Sequence, residues 1–149
     1  MHILCIDTST STASLALTTD DRLLAAATFN ADRTLSVRLM PEIEHLLEMS
    51  SLTIRDLDLL ACATGPGSFT GVRAGVATIQ GLSLACAKPC VGFSSLSLIA
   101  LNFPMAAWPV ATMLDARKGE VYAALFDCSA AMPVPLIREC VMTPEAFLD

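Results

Sequence analysis

Apolar residues run in short blocks over the first thirty positions and then change period. Residues 2–6, 13–18 and 23–29 read as three strands. The polar run Asp7-Thr8-Ser9-Thr10-Ser11-Thr12 and the pair Asp20-Asp21 separate them, so the spacing predicts an antiparallel meander. Next, Leu35, Leu39, Ile43, Leu46 and Leu47 recur at three and four, which predicts a helix over 33–49 with one apolar face. Pro41 falls inside it; a proline there lacks the N–H donor and predicts a bend or the start of a second helix.

Residues 57–63 have strand length and composition, after a short turn at 53–56. Gly65-Pro66-Gly67-Ser68 is a turn, and residues 69–87 form a long helix whose one ionic residue is Arg73. A helix apolar nearly all round is normally covered on several sides. Lys88-Pro89 ends it; a short strand begins at Val91 and a short helix at Ser94-Ser95. Pro104 to Pro109 reads as a linker. Strands over 110–114 and 121–126 flank the loop from Asp115 to Glu120. A last strand covers 137–141, and Thr143-Pro144-Glu145 caps a helix with proline at its first position. The order βββαβα followed by strands predicts a mixed sheet with helices packed on it. Residues 1–103 are expected to form one domain, and 104–149 the beginning of a second that is only begun.

Composition adds two constraints. Of 149 residues, 54% are apolar and 16% charged, which predicts a packed core and some apolar surface hidden against another chain. The net charge of −6 argues against direct electrostatic binding to nucleic acid, since phosphates call for clustered Lys and Arg; a partner would have to supply that charge. Residues 89–114 carry no charge, but Pro104, Pro109 and the polar Ser94, Ser95, Ser97 and Asn102 interrupt the stretch, so no membrane span is expected. The first residues are too short an apolar run for a secretory signal. The six cysteines lie mostly in apolar runs and read as reduced, buried small residues. Cys86 and Cys90 have half-site spacing, but no second ligand pair follows, so no metal is expected.

The chemical candidates are few. A glycine-rich turn between strand and helix presents backbone N–H groups that suit an anion. Gly65, Gly67 and Ser68 are therefore candidate nucleotide or anion contacts, together with Asp7 and Ser9 at the end of the first strand. The loop is not of the Walker type, for no Lys follows, and Thr70 replaces the third glycine of the dinucleotide fingerprint. The competing reading makes Ser68 a helix cap, Asp7 a turn residue, and Gly71, Ala74, Gly75, Ala77 and Gly81 a small-residue face that admits a close neighbour. His2 and His45 are not paired at ligand spacing. Asp115, Arg117 and Glu120 fit a solvated hairpin turn or a functional loop.

Taken together, Ile6-Asp7-Thr8-Ser9, the run from Gly65 through Phe69-Thr70-Gly71-Val72 to Arg73, and Asp115-Ala116-Arg117-Lys118-Gly119-Glu120-Val121-Tyr122 resemble the bacterial TsaB family, also called YeaZ. The resemblance implies the actin-like ATPase (ribonuclease H-like) fold and a part in making threonylcarbamoyladenosine in tRNA. It implies a non-catalytic subunit that supports a catalytic paralogue, TsaD, with an ATPase, TsaE, joining them. It further implies tRNA contact only through partners, a homodimer when alone, and a cytoplasmic protein with no cofactor of its own, ATP or ADP entering only at the partner interface. The paralogue's two metal-binding histidines fall on Ser95 and Ile99 here, which cannot replace them. The family's dimer face is built from the first two helices, which points to Leu35, Leu39, Ile43, Gly71, Ala74, Gly75 and Thr78 as partner contacts. The alternatives are a nucleotide-binding enzyme of the sugar-kinase type and a metallopeptidase.

Overall fold

The computed structural model describes residues 1–31 and 34–148. The predicted helix start at Arg33 lies outside the described residues. The chain divides into two compact units, the first comprising Met1–Thr64 and Ser68–Phe93, the second Gly65–Gly67 and Ser94–Asp149. The division thus falls at Ser94, ahead of the proline-flanked stretch expected to carry it. The short helix Ser95–Ala100 packs its Leu96 and Ala100 into the second unit's core, and burial outweighs the punctuation that Pro104 and Pro109 supply.

In the first unit, strands β1 (His2–Asp7), β2 (Thr12–Thr19) and β3 (Arg22–Asn30) form the expected meander. Helix α1 (Leu35–Met49) follows, then a single 3₁₀ turn, strand β4 (Leu59–Ala63), helix α2 (Phe69–Cys86) and strand β5 (Cys90–Phe93). The sheet order is β3-β2-β1-β4-β5, with β4 parallel to both β1 and β5. Parallel neighbours need crossovers, and α1 and α2 supply them. Pro41 sits inside one continuous α1 and starts no second helix. Leu4, Ile6, Leu15 and Leu17 point from the strands into the core, where they meet Leu35, Leu39, Ile43, Leu46 and Leu47 of α1 and Ile79 of α2.

The second unit carries helix α3 (Ser95–Ala100), strands β6 (Val110–Arg117), β7 (Glu120–Asp127) and β8 (Val134–Met142), and helix α4 (Pro144–Leu148). The strands form an antiparallel sheet in the order β6-β7-β8. Its core gathers Leu96, Ala100, Ala124, Phe126 and Cys128. Strand β8 begins three residues earlier than its apolar pattern predicts, because Val134 and Pro135 pair with Asp127 and Phe126 of β7 although they are exposed. The mixed sheet with crossover helices is the architecture expected of the actin-like class.

Candidate functional site

The most closely built place in the first unit is the joint between the end of β1 and the start of α2. Asp7 closes β1 with an Asx turn, its Oδ1 accepting from the Ser9 N–H at 2.8 Å. The turn buries Thr8 and Ser9. Thr8 Oγ1 donates to the Gly71 carbonyl at 2.7 Å, and the Ser68 N–H donates to the Ser9 carbonyl at 2.6 Å. Ser68 caps α2, its Oγ accepting from the Gly71 N–H at 3.3 Å. A Cβ on Gly71 would stand 2.0 Å from the Thr8 carbonyl oxygen, and one on Gly75 2.4 Å from Thr8 Oγ1. These two glycines form a notch into which the chain's own β1 terminus fits.

That geometry corrects part of the expected partner surface. Gly71 and Gly75 are buried against Thr8 of the same chain, so their close neighbour is not a second molecule. Leu35, Leu39 and Ile43 are buried in the core, because the sheet face of β1–β3 needs an apolar cover and the α1 stripe provides it. Ala74 is partly buried against that same core, and Thr78 is half-buried. The outward apolar residues are others: Val37, Met40 and Met49 on α1, and Phe69 and Leu84 on α2, Phe69 being 74% and Leu84 85% exposed. Periodicity names the stripe of α1 correctly; it does not reveal that the rest of that helix also presents apolar side chains.

The candidate anion contacts separate. Asp7, Ser9 and Ser68 meet in the first unit, where the Ser9, Ser68 and Gly71 N–H groups are all engaged by atoms of the chain itself. Gly65 and Gly67 belong to the second unit. Gly65 holds φ at +96°, a conformation glycine adopts freely, and its carbonyl accepts from the Ser95 N–H at 2.8 Å. Ser95 is buried and Ile99 packs partly buried against the second core. Among the described residues no three His, Cys, Asp or Glu side chains converge to hold a metal ion. Burial pushes the Cys5 thiol up; burial and then the neighbouring Cys90 push Cys62 up, so both favour the protonated form over the thiolate a ligand or nucleophile needs. Asp115 makes an Asx turn to the Arg117 N–H at 2.7 Å, and Arg117, Lys118 and Gly119 follow with positive φ, as a tight hairpin turn requires.

The family description "TsaD: tRNA N6-adenosine threonylcarbamoyltransferase" matches residues 29–149. The structure of YeaZ from Pseudomonas aeruginosa superposes with a TM-score of 0.87 at 31% identity, over 96% of this chain and 68% of that one. The chain belongs to the TsaB (YeaZ) family. It is 38% identical over 128 residues to the tRNA threonylcarbamoyladenosine biosynthesis protein TsaB of Escherichia coli, covering 82% of this chain and 53% of that protein. It is 36% identical over 126 residues to the protein of the same name from Bacillus subtilis, covering 85% and 55%. The chain spans about half the length of the curated relatives it matches. Among the described residues no helix is long and apolar enough to cross a membrane.

Proposed function

We propose that the chain serves the synthesis of threonylcarbamoyladenosine in tRNA as a non-catalytic, cytoplasmic scaffold subunit. It binds the catalytic paralogue TsaD through the outer faces of α1 and α2, with the ATPase TsaE joining the pair. In the absence of TsaD the same faces pair two copies. Kinship with proteins named for this pathway supports the reading. The observation that carries it is the set of apolar side chains on helices that have already satisfied their own core, Phe69 and Leu84 above all. Such residues gain from burial against a second surface, on the order of 1.5–3 kcal/mol for each large side chain fully covered. The net charge of −6 supports indirect contact with tRNA. ATP or ADP enters only where the partner contributes to its site, a reading supported by the Ser9, Ser68 and Gly71 N–H groups being bonded within the chain. The scaffold acts by favouring one arrangement of the partner, which requires that it bind that arrangement more tightly.

Light scattering of the chain mixed with TsaD tests the proposal. A one-to-one complex is expected, and Leu84→Glu is expected to weaken it at least tenfold while leaving the melting temperature of the lone chain unchanged. An intact complex with Leu84→Glu and Phe69→Glu together would move the contact elsewhere. Gly75→Leu is unsuitable for this purpose, because the added side chain collides with Thr8 before any partner is met.

A further inference from the structure

Strand β8 breaks its register twice, and one break aims two opposite charges at the same place. Ala123 pairs with Cys140 and Leu125 with Ile137, so both Arg138 and Glu139 stand opposite the single residue Ala124. A bulge of this kind re-aims side chains that strand alternation would send to opposite faces, and bulges are frequent beside functional sites. Here Arg138 and Glu139 line one groove of about 480 Å³ within the second unit. Its other walls are Ala124 and Phe126 of β7 with Pro135 and Ile137 of β8. That volume lies within the ordinary range of small-ligand sites.

Of the two charges, the carboxylate is held by a neighbour and the guanidinium is not paired to it. The Ser94 hydroxyl, also lining the groove, donates to Glu139 Oε1 and fixes that carboxylate at the rim. Ser94 is itself fixed, its Oγ accepting from the Ser97 N–H at 3.2 Å. Arg138 and Glu139 are neighbours in the chain yet form no ion pair with each other. Among the described residues the ion pairs are Met1 with Asp20 and Arg38 with Glu42, so the Arg138 guanidinium keeps its donors. A cation, an anion and an apolar wall in one groove match a molecule carrying the complementary three. A simple anion would meet Glu139, and a simple cation would meet Arg138. We infer that this groove binds a small zwitterion with an apolar body, an α-amino acid with an aromatic or branched side chain. The carboxylate sits on Arg138, the ammonium on Glu139, and the side chain against Phe126 and Ile137.

Amide chemical shifts of the ¹⁵N-labelled chain, followed during titration with L-phenylalanine, 3-phenylpropionate and phenethylamine, test this. Phenylalanine is expected to give saturable shifts confined to Ser94, Ser97 and residues 124–139. Each analogue lacks one charge and is expected to bind about tenfold more weakly, the scale of one charge-assisted contact. Arg138→Gln should reduce phenylalanine to the affinity of phenethylamine, and Glu139→Gln to that of 3-phenylpropionate; both residues are exposed, and the spectra report whether the fold survives. Equal binding of the three probes to the unaltered chain overturns the inference whatever the variants do. Shifts centred on Phe69 and Leu84, or no saturable shift, overturn it as well.

Discussion

Helices α1 and α2 contribute to one core and do so by opposite means. Helix α1 inserts five large side chains, Leu35, Leu39, Ile43, Leu46 and Leu47, and turns Arg38, Glu44 and Glu48 outward. Helix α2 is the more apolar of the two, yet it buries Gly71, Gly75 and Ile79 and leaves Phe69 and Leu84 in solvent. One helix is held by volume, the other by nearness of backbone. The contrast separates two uses of apolar residues that composition alone merges: filling a core, and leaving a surface that gains by being covered.

The largest expected effect tests the first of those uses. Ile43 is fully buried, and Ile43→Ala removes packed volume from the centre of the core. The expected loss is about 3 kcal/mol in urea unfolding. A loss below about 1 kcal/mol would mean that α1 is not held by volume. The second use of close approach is tested by Gly71→Ala, one methyl added where 2.0 Å separates it from the Thr8 carbonyl oxygen. Overpacking of this kind costs about 1–3 kcal/mol, and a neutral result would show that α2 can ride outward without penalty.

The smallest effect concerns the turn that follows α1. The Thr53 hydroxyl and N–H donate to Asp56 Oδ2 at 2.7 and 2.8 Å, and they hold that carboxyl below the ordinary carboxylate range, the hydroxyl being the larger cause. The charged form is thus favoured by folding. Its contribution is complete above the ordinary carboxylate pKa and disappears as pH falls through the lowered folded value. Asp56→Asn should therefore be slightly less stable than the parent at pH 7, with the two melting curves converging in acid. A gap that widens in acid would contradict the assignment.

Much of this was legible from residue order. The three-strand meander, the α1 stripe and the strand–loop–helix around Gly65 all follow from local periods and turn chemistry, and local periods survive folding. The identity of what a small-residue face touches does not. Gly71 and Gly75 announce close approach, but only the parallel pairing of β1 with β4 brings Thr8, more than sixty positions earlier, to that face. The same limit hid Arg138 and Glu139. Adjacent residues on a strand are expected on opposite faces, and the bulge that reunites them depends on how β7 and β8 slide past each other. Ser68 could be read as a cap from its place before the helix, whereas its N–H bond to Ser9 could not.

The notch in α2 has one more consequence, for the alignment of β1. Slipping that strand by a single position would exchange Leu4 and Ile6 for Ile3 and Cys5 in the core, and would put Asp7 or Ser9 where Thr8 now lies between two glycines. Neither side chain reproduces a hydroxyl that reaches Gly71 together with a methyl that rests near Gly75. The helix thereby acts as a gauge: it accepts the strand in one alignment, and the strand order built outward from β1 inherits that setting.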